Sequence, residues 1–315
     1  MKILVTGGCG YKGSVLIPKL LAQGHEIIVV DIQWFGNFLP QHNHLTVVKG
    51  DVRQPKQEGL QSVDAVIHLA SVANDPCSDL NPKLSWEIGP LATMQLIEMA
   101  IQWGAKQFIY SSSGSVYGVN EAEKVIESLP LNPISDYNKT KMITERVLLS
   151  YQDKLAVQIV RPATVCGVSP RMRLDVSVNM MTMQALENGV MTVFGGAQVR
   201  PNIHIDDITD LYLFLLTHKE HTDIFNAGFE NLSILEIAQL VQKHVSAEIK
   251  VTPSNDPRSY RLCSDRLLKT GFKPKKTVEN AIQEIVSEFE KRQLKNEDHF
   301  YNLKTMQALG VGAKK

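Results

Sequence analysis

A glycine-rich segment near the N-terminus constrains the fold more than any other feature of this sequence. The short apolar run of residues 2–6 is followed directly by Gly7-Gly8-Cys9-Gly10-Tyr11-Lys12-Gly13, and residues 14–23 carry apolar side chains at helical spacing. Glycines in a strand-to-helix turn let the backbone approach a pyrophosphate, and the helix N-terminus directs free N–H groups at it. The segment therefore predicts a dinucleotide-binding turn rather than a plain strand-to-helix connection.

The rest of the first half alternates between predicted strands and helices. Strands are predicted at residues 2–6, 26–31, 45–49, 64–69, 107–111 and 156–160, and helices at residues 14–23, 82–103 and 136–151, with a kink at Gly89-Pro90. Such alternation is typical of a parallel sheet covered on both faces. The predicted fold is α/β, a Rossmann-type doubly wound parallel sheet with a smaller C-terminal substrate lobe.

The pattern becomes irregular after residue 166, which suggests where the second lobe begins. Helices are predicted at residues 235–244 and 278–293. We expect an NAD-binding domain over residues 1–165, with returning segments at about 202–228. The substrate-binding lobe is expected over residues 166–201 and 229–295, and no structure is predicted for the tail at 296–315.

Composition excludes several classes of function. Lys plus Arg and Asp plus Glu both number 33, so the formal net charge is zero and nucleic acid is not expected as a partner. The four cysteines show no paired spacing, which favours reduced thiols in a cytoplasmic protein over disulfides or a bound metal. No apolar run is long enough to span a membrane, and residues 2–6 fit a strand better than a signal peptide.

Polar residues at the strand ends indicate which cofactor binds. Asp31 ends the second strand, where a carboxylate hydrogen-bonds the ribose hydroxyls and repels a 2′-phosphate, so NAD is favoured over NADP. Lys12 has two interpretations, a phosphate contact or a surface lysine. Five residues that follow the third and fourth strands are expected to line the cofactor: Asp51, Val52, Leu69, Ala70 and Ser71.

A tyrosine and a lysine four residues apart indicate the chemistry. On a helix, Tyr137 and Lys141 share a face. Acting as a base near neutrality requires the tyrosine pKa to fall by about three units, or roughly 4 kcal/mol, and an adjacent ammonium and an oxidised nicotinamide both favour the phenolate. Serines at residues 111–113 follow the fifth strand and are placed to bridge a substrate oxygen and the phenolate. The alternative is a surface Tyr/Lys pair beside a serine-rich turn.

Together these residues resemble the extended short-chain dehydrogenase/reductase family of nucleotide-sugar epimerases and dehydratases. The resemblance extends to about residue 291. It rests on segments in a fixed order: TGGCGYKG, Asp31, GDV at 50–52, HLAS at 68–71, SSSGSVYG at 111–118, the Tyr137/Lys141 pair, RPATVCG at 161–167, NIHIDDI at 202–208, DPRSYR at 256–261 and GFKP at 271–274.

The resemblance implies a role for individual residues. Ser113, Tyr137 and Lys141 would form the catalytic trio, with Ser113 also touching the substrate. Arg200 and Arg258 would hold the diphosphate of a nucleotide-sugar substrate. Asn179 would also contact that diphosphate, and the helices at 82–103 and 136–151 would pair in a homodimer.

The sequence also departs from the family pattern. Gly114 and Ser115 stand where the family's 4,6-dehydratases carry an acidic pair, which disfavours a dehydratase. Gly89 replaces a usual asparagine, and Cys166 a usual aromatic residue. Residues 169–175 resemble the branch of the GDP-heptose 4-dehydrogenases.

The expected function is NAD-dependent oxidation of a nucleotide-diphosphate sugar at C4, as an epimerase or a 4-dehydrogenase. The alternatives are the disfavoured dehydratase and a catalytically idle, NAD-responsive binding protein.

Overall fold

The computed structural model describes residues 1–54, 62–120, 122–254 and 259–312. The strands are β1 (Lys2–Thr6), β2 (Glu26–Asp31), β3 (Leu45–Lys49), β4 (Ala65–His68), β5 (Gln107–Ser111), β6 (Ala156–Pro162), β7 (Thr164–Cys166), β8 (Val190–Phe194), β9 (Val199–His204), β10 (Ile224–Ala227), β11 (Glu230–Ser233) and β12 (Glu248–Thr252). The α-helices are α1 (Gly13–Ala22), α2 (Asp75–Leu80), α3 (Pro82–Trp86), α4 (Ala92–Gln102), α5 (Asp136–Leu149), α6 (Ser177–Asn188), α7 (Ile205–Thr217), α8 (Ile234–Gln242), α9 (Asp265–Lys269), α10 (Val278–Glu290) and α11 (Asn302–Ala308).

A seven-stranded parallel sheet lies at the centre, in the order β10-β6-β5-β4-β1-β2-β3. Strand order reverses beside β1, which pairs with β2 on one side and with β4 on the other. In open parallel sheets a ligand crevice forms outside the carboxyl ends of the strands at such a reversal. This architecture confirms the predicted Rossmann-type fold.

Both faces of the central strands β1, β2, β4 and β5 are largely buried, which explains why these strands are mostly apolar. Ile3 and Val5 of β1 pack in one apolar cluster together with residues of α1 and α7. Leu4, which points to the opposite face, packs in a second cluster with residues of α4 and α5. The alternation along one strand therefore contributes to both cores.

The predicted kink at Gly89-Pro90 is present. The backbone of Gly89 has φ −71° and ψ −105°, within a π-helical turn at Glu87–Leu91 that separates α3 from α4. Pro90 has no N–H group to donate the helical hydrogen bond, so the regular α-helix is interrupted here. A Cβ atom on Gly89 would lie 3.2 Å from Cβ of Thr140, so the missing side chain allows this turn to approach α5 closely.

Two smaller sheets lie outside the large one: β11-β9-β7, and the parallel pair β12-β8. A third apolar cluster joins α6, α8 and α10 through residues that include Met181, Ile237 and Ile282. The division of the chain into the predicted domains remains a prediction. Among the described residues, none of the helices is long and apolar enough to cross a membrane.

The C-terminal segment, of which residues 296–312 are described, contains a turn and a helix, although no structure was predicted for it. A short 3₁₀ turn at Asp298–Phe300 leads into α11, which packs against α2. Met306 is buried in the same cluster as the residues of α4 and α5. Met306 and the packing of α11 against α2 thus hold this segment against the large domain. The weak apolar pattern of the sequence did not predict this packing.

A buried ion pair stabilises the loop that follows β5. The guanidinium of Arg161 donates to both carboxylate oxygens of Glu145, at 2.9 and 2.6 Å, and both side chains are at most 2% exposed. Glu145 also accepts a hydrogen bond from the hydroxyl of Ser112, and Arg161 donates to the phenol oxygen of Tyr117. The pair thus links α5 and β6 to both ends of the 112–117 segment.

Arg161→Met should destabilise the protein by about 3–5 kcal/mol, because it leaves the Glu145 carboxylate buried without a counter-charge. Urea denaturation followed by circular dichroism measures this free energy of unfolding. Arg146→Met, at an exposed position of the same helix as Glu145, is the control and should change stability by less than about 0.5 kcal/mol. Equal stability of the two variants would contradict the assignment.

Candidate active site

A cavity of about 520 Å³ opens at the carboxyl ends of β1, β4 and β5. Its wall includes the glycine turn, the end of β2, the segment after β4, the serines after β5, the first turns of α5, and a strip from the second half of the chain. Residues of the wall that were predicted from the sequence are Gly7, Gly10, Tyr11, Lys12, Gly13, Asp31, Asp51, Val52, Leu69, Ala70, Ser71, Ser113, Tyr137, Lys141 and Arg200.

The glycine turn packs against other backbone so closely that side chains are excluded. Gly7 has φ +70°, and a Cβ atom there would lie 2.6 Å from the backbone nitrogen of Ala70. A Cβ atom on Gly13 would lie 2.2 Å from the carbonyl oxygen of Gly8. These contacts hold the start of α1 at the end of β1 and β4.

The turn carries unused hydrogen-bond donors. The backbone N–H groups of Tyr11 and Lys12, at the start of α1, donate to no other described residue. Helix N-termini leave such groups for caps, water or anions, and the helix dipole favours negative charge there. The residues present therefore fit the pyrophosphate of a dinucleotide.

Asp31 is held beside this turn by the backbone. One of its carboxylate oxygens accepts a hydrogen bond from the N–H of Cys9 (2.9 Å) and the other from that of Gln33 (2.7 Å). Burial raises the pKa of Asp31, although these two bonds act in the opposite direction. A carboxylate fixed at the end of β2 is the group that the NAD ribose requires.

The residues after β3 and β4 also line the cavity, with different partners. The guanidinium of Arg53 donates hydrogen bonds of 2.7 to 3.1 Å to the carboxylate of Asp51. It also donates to the carboxylate of Glu87. Burial acts to raise the pKa of Asp51, but the bonds from Arg53 outweigh it and hold the pKa below its usual value. Val52 is buried, and Leu69, Ala70 and Ser71 are partly exposed in the wall.

Two lysines meet at the end of β5. The ammonium of Lys141 donates to the carbonyl oxygen of Ser111 (2.8 Å), and the ammonium of Lys12 donates to the hydroxyl of the same serine. Lys12 is therefore a residue of the cavity wall, and its interpretation as a surface lysine is wrong. Burial, followed by charge repulsion, lowers the pKa of each lysine to about 7. Within the described chain, neither ammonium has a carboxylate at ion-pair distance.

Tyr137 lies between Lys141 and Ser113. It is in the first turn of α5, whose N-cap is the hydroxyl of Ser135. The Lys141 nitrogen is 5.9 Å from the centre of the Tyr137 ring, and the Ser113 hydroxyl lies near enough to the phenol to lower its pKa. The structure thus brings the predicted trio together at one place.

The predicted lowering of the Tyr137 pKa is not found in the protein alone. Burial of the phenol raises this pKa to about 12, the Asp75 carboxylate acts in the same direction, and the nearby Ser113 hydroxyl offsets only part of the effect. Lys141 is also buried, which lowers the pKa of its ammonium to about 7. The protein alone therefore does not favour the phenolate.

The acidic pair of the dehydratases has no replacement at the same positions. A Cβ atom on Gly114 would lie 3.2 Å from the carbonyl oxygen of Pro162, which leaves little space for a carboxylate side chain. Ser115 shares hydrogen bonds with Ser113 and Asn138. It therefore supports the trio with a hydroxyl that carries no charge.

The three residues predicted to hold a diphosphate differ in placement. Arg200 lines the cavity. Asn179 does not: it is fully buried and bonds to Gly167 and to the phenol oxygen of Tyr11, so the structure does not bring it to the cavity. The side-chain amide of Asn179 thereby connects the glycine turn with the second half of the chain. Arg258 lies outside the described residues.

Several wall residues were missed by sequence reasoning. Arg171, Arg173 and Asp175 were noticed only as part of a branch-specific segment, although two arginines in three residues already signalled an anion site. Arg173 donates to Asp175 at 2.8 Å. Other wall residues that were missed include Asn74, Asp75, Tyr260 and Asn302.

His204, Asp206 and Glu284 form a group whose ligand atoms lie within 4.8 Å of one another, outside the cavity wall. Each already has partners: His204 bonds to Glu284 and to the backbone N–H of Asp206, and Lys276 donates to Glu284. This cluster is accounted for by internal hydrogen bonds and by its position at the start of α7.

Comparison with known proteins shows the family to which this fold belongs. The sequence pattern of the NAD dependent epimerase/dehydratase family matches residues 3–228. UDP-glucose 4-epimerase of Lactobacillus helveticus is 28% identical over 274 residues, which cover 76% of this chain and 82% of that protein. UDP-glucuronic acid decarboxylase 1 of Danio rerio is 28% identical and covers 91% of this chain and 72% of that protein. The solved UDP-glucose 4-epimerase of Thermus thermophilus, in complex with NAD, superposes with a TM-score of 0.82 at 25% identity and covers 92% of this chain and 99% of that chain.

The fold and the site define a nucleotide-binding enzyme of the Rossmann class. The chain belongs to the NAD dependent epimerase/dehydratase family, and NAD is its cofactor.

Asp31 generates a prediction about cofactor choice. NADP should bind at least about tenfold more weakly than NAD, since like charges about 4 Å apart near a protein surface repel by a few kcal/mol. Asp31→Asn should narrow that ratio by about tenfold, with Asp153→Asn, an exposed position, as the control. Isothermal calorimetry with both cofactors measures the ratio, and an unchanged ratio in Asp31→Asn would rule the role out.

Proposed function

We propose that this enzyme oxidises a nucleotide-diphosphate sugar at C4 with NAD, as an epimerase or a 4-dehydrogenase. The observation that carries the proposal is the meeting of Ser113, Tyr137 and Lys141 in the cavity that the glycine turn also lines. Similarity to UDP-sugar epimerases supports the substrate class.

Each residue of the trio has a separate role. Tyr137 takes the proton of the sugar hydroxyl as general base, and the hydroxyl of Ser113 donates a hydrogen bond to the oxygen as it becomes a ketone. Bound NAD supplies the hydride acceptor. Lys141 holds the nicotinamide ribose and provides the positive charge that favours the phenolate. The pyrophosphate rests on the N–H groups of Tyr11 and Lys12, and Asp31 binds the adenosine ribose.

The two positions that follow Ser113 support C4 oxidation without elimination. A dehydratase needs further acid and base groups to remove water from the neighbouring carbons. The positions next to Ser113 offer a glycine and a hydroxyl instead. Reduction of the ketone on its other face gives an epimer, and release of the ketone gives a dehydrogenase product.

Arg200 is proposed to hold the substrate diphosphate, since its position in the wall and its planar, always charged guanidinium suit that group. The homodimer also remains a proposal. Leu91 and Met94, at the start of α4, are exposed apolar residues on a helix expected to pair. A dimer through this helix and α5 would bury them.

A panel of UDP-, GDP- and dTDP-sugars tests the reaction. We expect one class to give an epimer or a keto-sugar by mass spectrometry and chromatography, and Tyr137→Phe to lower kcat by about 10²- to 10⁴-fold while remaining folded. Tyr151→Phe, outside the cavity, is the control. If Tyr137→Phe keeps near-full activity, a catalytic tyrosine is excluded and the idle, NAD-responsive binding protein or another base must be considered.

The pH profile tests how the tyrosine is activated. A base must lose its proton, so kcat should rise with pH as Tyr137 ionises, with a midpoint below the ordinary tyrosine value of about 10 when cofactor is bound. Lys141→Met removes the neighbouring positive charge and should move this limb to higher pH. Lys139→Met, exposed on the same helix, should leave it in place. A limb unmoved by Lys141→Met would mean that the ammonium does not activate Tyr137.

A further inference from the structure

Arg171 occupies an unusual position in the cavity wall. Its side chain is 1% exposed, and its guanidinium carbon lies 4.1 Å from the centre of the Phe35 ring. One terminal nitrogen donates to the side-chain oxygen of Asn302, whereas Nε is buried and has no partner among the described residues. A buried charge with an unused donor is costly unless a ligand supplies the missing partner.

The neighbours of Arg171 belong to the cofactor site. Arg171 lines the same cavity as Asp31 and Tyr11, and its charge acts to lower the pKa of Asp31. Among the described residues, no carboxylate lies at ion-pair distance from Arg171. Arg173 differs, because Asp175 neutralises it at 2.8 Å. Arg171 is therefore, like Lys12, a positive charge near the turn without a carboxylate at ion-pair distance among the described residues.

The C-terminal segment fixes Arg171 in place. Asn302 begins α11, and its backbone N–H donates to Asp175 at 3.2 Å. The carbonyl oxygen of Phe300 accepts a hydrogen bond from the N–H of Leu174 at 3.0 Å. Since Met306 is buried in the core, the segment is anchored at both ends of this contact. Residues 298–312 thus connect the 171–175 segment, which contains Arg171, with the rest of the fold.

We propose that Arg171 is a second binding group for the NAD pyrophosphate, held in position by Asn302 of the C-terminal segment. The pyrophosphate is an anion with several acceptor oxygens, which matches a guanidinium with an unused N–H. The inference rests on NAD binding and deepens the proposed function: a cofactor held by both the glycine turn and Arg171 leaves slowly, which favours return of the hydride within one turnover.

Binding measurements without any sugar test this inference independently of the reaction. Isothermal calorimetry on protein stripped of nucleotide compares NAD, ADP and adenosine as probes. Arg171→Met should weaken NAD and ADP binding by about 10- to 100-fold, the range expected for one lost hydrogen bond to a charged group. Adenosine lacks the pyrophosphate and should bind equally to both proteins. Equal affinity for ADP, or equal weakening of ADP and adenosine, would overturn the proposal.

A second variant separates charge from structure in case Arg171→Met does not fold. Asn302→Asp keeps the hydrogen bond to Arg171 but adds a negative charge, so the melting temperature should be maintained while NAD affinity falls at least about fivefold and NAD dissociates faster. Lys304→Met, exposed on the same helix, is the control and should leave NAD binding unchanged. Wild-type NAD affinity in a folded Asn302→Asp protein would overturn the proposal.

Discussion

The close contact between the glycine turn and the backbone that follows β4 is the constraint on which the site depends. Because Gly7 has no side chain, its α-carbon can pack against Ala70, which brings the start of α1 to the strand-order reversal. The N–H groups of Tyr11 and Lys12 then lie where we propose that the pyrophosphate binds, and Asp31 accepts a hydrogen bond from the N–H of Cys9 in the turn. Any side chain at Gly7 or Gly13 would separate these elements.

A second property of the cavity is its excess of positive charge. Lys12, Lys141 and Arg171 are held by hydroxyl, carbonyl and amide oxygens rather than by carboxylates in the described chain. Burial, and after it repulsion from neighbouring positive charges, lowers the pKa of both lysines. An anionic cofactor and an anionic substrate would interact favourably with these charges, which would add to the free energy of ligand binding. In the proposed mechanism the same ligands would favour the ammonium of Lys141 beside Tyr137.

Local patterns allowed much of this to be predicted from the sequence. Strand and helix alternation depends on spacing within one element, and the Tyr137/Lys141 pair depends on a single helical turn. The contact between Arg171 and Asn302 joins residues 131 positions apart, and no periodicity of the sequence predicts it. Asn179 shows the opposite error, since its place in the chain suggested a ligand contact whereas the folded protein uses its amide to brace Tyr11. The raised pKa of Tyr137 likewise results from burial that only the folded structure reveals.

The central claim is that Tyr137 deprotonates a sugar hydroxyl while the hydride at C4 passes to NAD. The most direct measurement uses the accepted nucleotide sugar with deuterium at C4, in a single turnover stopped by alkali, in which reduced nicotinamide is stable. The account predicts that reduced nicotinamide recovered from the wild-type protein is one mass unit heavier than that from unlabelled sugar, and that Tyr137→Phe forms almost none. Reduced cofactor without deuterium, or product formed with no reduced cofactor at any time point, would contradict it.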